Sequence, residues 1–173
     1  MTGRKVLTVI LTGIMIFAMF AVTGCQDKMP EYENIVQAID TYRTNYSEYR
    51  KAGDENMVTY NSDSLTTPEG IACRSYYVAS SNGLFKSVTL EYDKNDTMMV
   101  DEYFYLTDNA FFVVNSYIDA ETLTPVISRY YVWKGTMYMI DEENKAITEA
   151  DDATVARFYT SFDQLTEVYG PQG

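Results

Sequence analysis

VDEYFYLTDNAFFVVNSYIDAETLTPVISRYYVWKGTMYMID, residues 100–141, decides the fold. Apolar, aromatic and β-branched residues recur at a period of two, the signature of strands whose successive side chains point to opposite faces. The runs break at Thr107-Asp108-Asn109 and at Lys134-Gly135, residue types that suit tight reversals. Strands are therefore expected at about 98–107, 110–118, 126–133 and 136–141. Connections this short join only antiparallel neighbours, so the chain makes a meander. The runs 110–118 and 126–133 are apolar or aromatic on both sides, as in strands with both faces covered. In 98–106, Met98, Val100, Phe104 and Leu106 share one side, interrupted by Glu102, while Asp101, Tyr103 and Tyr105 share the other.

Outward from this stretch, further strands are expected at 72–80 and 84–92, set off by Ser81-Asn82-Gly83 and Asp93-Lys94-Asn95-Asp96, with a weaker strand at Met57 to Asn61. The period then changes. Ile35, Ile39, Tyr42, Tyr46 and Tyr49 fall on one stripe of a helix expected over 30–52, opened by Pro30 and Glu31 and closed near Gly53. Val155, Phe158, Tyr159, Phe162, Leu165 and Tyr169 make a second stripe, with Thr148, Asp151 and Asp152 as N-cap candidates and Gly170-Pro171 as the stop. The expected class is α+β: an N-terminal helix, an antiparallel meander sheet of five to seven strands, and a C-terminal helix, all in one domain over 30–173.

The first residues are of another kind. Arg4 and Lys5 precede an apolar run from Val6 to Val22, which ends in Thr23-Gly24-Cys25. A basic start, an apolar middle and small residues at the exit are the parts of a secretory signal. Val22-Thr23-Gly24-Cys25 resembles the lipobox of bacterial lipoprotein precursors, with Val22 where leucine is commonest. The resemblance covers residues 1–25 alone. It implies removal of residues 1–24, a diacylglycerol on Cys25, and attachment to the outer face of a cell membrane. Val6 to Gly24 is also just long enough for an uncleaved membrane helix, which places the domain on the same side. Residues 25–29 are then a short tether, reaching about 17 Å when extended.

Charge and composition narrow the function. All 25 acidic residues follow Gln26, and 11 of the 13 basic residues follow Cys25, so the chain beyond it carries a net charge of −14. That sign excludes a nucleic-acid binder, which needs cations to displace counterions. It also opposes anionic lipid, so membrane attachment rests on the anchor. The chain has no histidine. Ser-His-Asp and Cys-His sites are thereby excluded, and the commonest metal ligand is missing. No cofactor fingerprint, metal-ligand spacing or catalytic set is present. Cys73 opens a strand as a small buried residue; a disulfide to Cys25 is the competing reading.

Tyrosine stands out, with 16 copies, all beyond Cys25. Tyr103, Tyr105, Tyr117, Tyr131 and Trp133 are candidate members of an aromatic row on one sheet face, able to stack on a glycan or grip an apolar ligand. The simpler reading is that the helices cover them. The acidic pairs Asp101-Glu102, Glu142-Glu143 and Asp151-Asp152 raise a glycosidase reading. That chemistry needs facing carboxyls, and neighbours on a strand face apart. Solvated charge is the simpler reading of these pairs, and Glu102, on the mainly apolar side, is the carboxyl to check for a perturbed pKa. Asp93 to Asp96 holds oxygen ligands but lacks the spacing of a calcium loop, and a hairpin turn accounts for it. The expected function is a tethered, non-enzymatic module binding an apolar small molecule, a glycan or an envelope protein. The alternatives are a carboxylate-based envelope hydrolase and a structural subunit of an envelope complex.

Overall fold

The computed structural model describes residues 29–51, 57–80, 86–107 and 110–168. The expected export segment, Cys25, the expected caps at Gly53 and Gly170-Pro171, and the expected Ser81-Asn82-Gly83 turn lie outside them. The sheet is antiparallel throughout, with eight strands in chain order: β1 Met57–Thr66, β2 Ala72–Ser80, β3 Lys86–Lys94, β4 Thr97–Thr107, β5 Ala110–Ile118, β6 Pro125–Trp133, β7 Thr136–Asp141 and β8 Ala146–Glu149. Two helical regions accompany it: α1 Tyr32–Lys51, and the short α2 Asp152–Val155 with α3 Phe162–Val168.

Eight strands exceed the five to seven expected. β8 went unread because it is four residues long and has Ile147 as its one large apolar side chain. β1 extends past the expected Asn61 to Thr66 through a polar run, and it shifts register between Ser62 and Leu65. As an edge strand paired only with β2, it needs no apolar alternation along its whole length.

Two turns set their hairpins by backbone conformation. Asn95 and Asp96 both have positive φ, 56° and 61°, and Asp93 Oδ1 accepts a hydrogen bond from Asp96 N at 3.0 Å. Lys134 and Gly135 repeat the pattern between β6 and β7. Paired positive φ matches the twist of the strands, and asparagine, aspartate and glycine bear it with least strain.

Each face of the sheet has its own apolar cluster. On one, Ile35, Ile39 and Tyr42 of α1 bury against Phe104, Phe112, Val114, Tyr131 and Ile140. Burying a side chain of this size contributes about 1.5–3 kcal/mol. On the other, Phe158, Leu165 and their partly buried neighbours Val155, Tyr159 and Phe162 cover Val88, Tyr103, Phe111, Val113, Tyr130 and Val132. The order is helix, sheet, helical segment, three layers deep.

The C-terminal stripe is not one helix. Asp151 caps α2, its Oδ1 accepting from Thr154 N at 2.7 Å. The helix then stops, because Tyr159 N donates to the Tyr103 hydroxyl at 3.2 Å instead of continuing the helical pattern. α3 restarts on a reciprocal cap: Gln164 N donates to Ser161 Oγ at 3.2 Å, and Ser161 N donates back to Gln164 Oε1 at 3.3 Å.

In the meander, the β1–β2, β3–β4, β5–β6 and β7–β8 connections share one end of the sheet, the lower end. α1 starts there, with Tyr32 in the field of Glu142, and Arg129 joined to both Asp40 (3.6 Å) and Glu142 (2.6 Å). It crosses to the upper end, where the Tyr42 hydroxyl donates to Lys86 O at 2.9 Å and accepts from Lys86 N at 2.8 Å.

Candidate functional site

The five aromatic candidates do not form one row. Tyr103 and Tyr105 of β4 and Tyr117 of β5 belong to the face under the C-terminal segment. Tyr131 and Trp133 of β6 belong to the face under α1. Strand alternation explains the split: Phe112 pairs with Tyr131 and Val113 with Tyr130, so Tyr130 is the β6 residue beside Tyr103's face. Tyr103, Tyr105 and Tyr131 are buried, Tyr117 and Trp133 partly so. Tyr103 rests edge-on against Tyr159 at 6.0 Å between centroids, and Tyr105 against Phe162 at 5.2 Å. The tyrosines of this face are thus held by the chain's own C-terminal segment.

Beneath that segment lies a polar centre which the sequence reading did not single out. Asp101 is 0% exposed. Its Oδ2 accepts from the Tyr92 hydroxyl at 2.8 Å, and its Oδ1 accepts from Asn115 Nδ2 at 2.6 Å. Three adjacent strands supply the three groups: Leu90 pairs with Asp101, and Asp101 with Asn115, while Tyr92 reaches across from two residues along, the next on that face. Burial pushes the Asp101 carboxyl above its usual range, against the opposing pull of Asn115, Tyr92 and the Arg157 charge. The buried Cys73 thiol is raised by burial first and then by the Asp101 charge. Tyr92 is raised for the same two reasons.

Glu102, the carboxyl singled out for checking, is half-buried and lies on the opposite face, across from Thr89 and Val114. Glu102 is flanked on its strand face by apolar side chains, whereas Asp101 shares its face with tyrosines that are themselves buried.

Arg157 brings a cation to this centre from the break between α2 and α3. It lies against Tyr92, and its charge reaches Asp101. Its guanidinium carbon stands 5.3 Å over the Phe158 ring. Its Nε is sealed from solvent with no acceptor among the described residues. A buried N–H without a partner is rare, because it forfeits the hydrogen bond it made to water. The seam between sheet and segment therefore holds a satisfied carboxylate, two hydroxyls, a thiol and a guanidinium that bonds Tyr92 while its Nε lacks a partner among the described residues.

The groups that hydrogen-bond Asp101 are a phenol and an amide, and the charge of Glu69 also reaches it. Among the described residues, no grouping of three or more metal-capable side chains occurs, and no helix is long and apolar enough to cross a membrane. Comparison with protein-family models, curated proteins and solved structures finds no match to this chain.

Proposed function

We propose that this chain is a membrane-tethered extracytoplasmic lipoprotein whose domain binds a ligand, without catalysing a reaction, in the seam between the sheet and the C-terminal segment. The observation that carries the binding reading is Arg157 Nε, buried without an acceptor beside the Asp101 centre. A ligand with an apolar body and one hydrogen-bond acceptor satisfies that donor and matches the aromatic walls supplied by Tyr103, Tyr130 and Phe158. The tether reading is supported by the basic start, apolar run and Val22-Thr23-Gly24-Cys25 exit.

Native mass spectrometry of the protein purified without denaturation from its source membranes tests the binding. A discrete extra mass is expected on the wild type and a diminished one on Arg157→Ala. A clean unliganded mass in both contradicts the seam as a carrier site. The tether has its own test: Cys25→Ala in the source cells is expected to free the protein from membranes or leave it uncleaved. Normal maturation of that variant contradicts the anchor.

A further inference from the structure

α1 leaves part of its sheet face bare. The cluster beneath it ends at Val114 on β5 and Tyr131 on β6. Toward the lower end of the same face, Met98, Ile118 and Ile127 are 59%, 54% and 57% exposed. They share that face by alternation with Phe104, Val114 and Tyr131. Ladder register places Ile118 opposite Pro125 and one step along from the Met99–Tyr117 pair, hence beside Met98. Leu123, at the tip of the β5–β6 connection, is 76% exposed.

That tip is held, not loose. Asp119 Oδ1 accepts from Glu121 N (3.1 Å), Thr122 N (2.7 Å) and Thr122 Oγ1 (2.8 Å). Asp119 N donates to Thr124 O, and Leu123 N to Asp119 O, both at 2.9 Å. Leu123 itself has φ 55°, a conformation that costs a leucine energy. The loop spends that strain to present an apolar side chain to solvent.

The chain enters the domain at this same end. Met29 packs under α1, and Tyr32 lies by the β7–β8 connection. Four residues separate Cys25 from Pro30, so a lipid on Cys25 lies within about 17 Å of that entry. A second protein has little room between this end and the bilayer.

We infer that Leu123, with Ile118, Ile127 and Met98 behind it, rests in the interface of the membrane to which the chain is tethered and fixes the domain's orientation on it. The inference rests on the anchor reading. The tether supplies a high local concentration of lipid, so shallow burial of a few apolar side chains suffices to orient the domain. Asp93 and Asp96 beside the β3–β4 reversal, and Asp119 and Glu121 in the β5–β6 connection, lie at the same end of the sheet as the patch and give the contact a sign. Anionic lipid weakens it, and salt restores it by screening.

The test uses the full chain, processed in its source cells and carrying Leu123→Cys labelled with a polarity-sensitive fluorophore. It is reconstituted in phosphatidylcholine vesicles with or without phosphatidylglycerol. Expected are a blue-shifted emission, several-fold quenching by shallow spin-labelled lipid, and loss of both as phosphatidylglycerol rises at low salt. A label at Lys134→Cys, on the upper end, is expected to remain aqueous. An aqueous Leu123 label on vesicle-bound protein overturns the inference and leaves the anchor standing. Protein that does not stay with the vesicles removes the anchor and the inference together. A shifted emission that spin-labelled lipid does not quench overturns it in favour of contact with protein.

Discussion

Both faces of the sheet are covered by helical segments, but by different chemistry. Under α1 the centre of the packing is aromatic: Phe104 stacks on Phe112 at 4.6 Å and 13°, and Tyr42 meets both rings edge-on at 5.9 and 6.0 Å, with polar contacts at its margins. A continuous helix suits such a face, since its backbone bonds are internal and it offers only side chains. Under the C-terminal segment lies the Tyr92–Asp101–Asn115 centre, and there the helix is broken. The break frees the Tyr159 N–H for the Tyr103 hydroxyl and carries Arg157 beside Tyr92. The Tyr159 hydroxyl further bonds the Thr66 carbonyl, tying the segment to β1. A polar face needs backbone and charged donors, and a broken helix is the cover that can give them.

The largest test of this contrast is Phe112→Ala. It removes a fully buried ring from the aromatic centre under α1 and is expected to cost about 3–5 kcal/mol in a urea titration. A cost near 1 kcal/mol contradicts tight packing there. On the polar face, Asp101→Ala leaves Tyr92 and Asn115 without their acceptor and is expected to cost about 1–3 kcal/mol.

pH separates the faces further. Burial raises Asp101 in the folded chain, so the folded state holds that proton more firmly than the unfolded state. Its contribution is therefore fully present below the usual carboxylate range and is lost as pH rises through its own raised value. Asp101→Asn is expected to flatten that part of the wild-type stability profile, measured as paired urea titrations over pH. Parallel profiles contradict a raised Asp101. Ser161→Ala, which removes the cap of α3, is expected to cost about 1 kcal/mol. Arg129→Ala, losing ion pairs to two carboxylates that are each more than half exposed, is expected to cost at most about 1 kcal/mol.

Much of the sheet was legible because alternation is a local property. Residues 100–141 show their strands and turns within a few positions of one another. The α1 stripe was legible for the same reason, and Ile35, Ile39 and Tyr42 are buried as its period requires. What was not legible depended on register. Which face Tyr131 joins follows from pairing with Phe112, one residue away from the pairing that would have aligned it with Tyr103. Asp101 looked ordinary until Asn115 stood opposite it. Asp101 lies six residues before Thr107 and Asn115 five after Ala110, because the register shifts between Tyr105 and Thr107, so a hairpin register drawn from that turn would have paired Asp101 with Ser116 instead. The broken helix also had its sign, since Ser161-Phe162-Asp163-Gln164 is a capping box in the middle of a single apolar stripe. Arg157, the lone base between Lys145 and the end of the chain, had no local signal for its orphaned Nε; that emerges only from packing.

The C-terminal segment is a cover of two short helices over a seam with an unmet donor, whereas α1 is a single long helix over a closed one. Hydrogen exchange of the full chain, resolved by peptide, tests that difference directly. Amides of 152–165 are expected to exchange through local opening, well ahead of those of 35–46, and to slow when the seam is occupied. If both segments exchange together, only in global unfolding, the seam is closed core and the ligand-binding reading is contradicted.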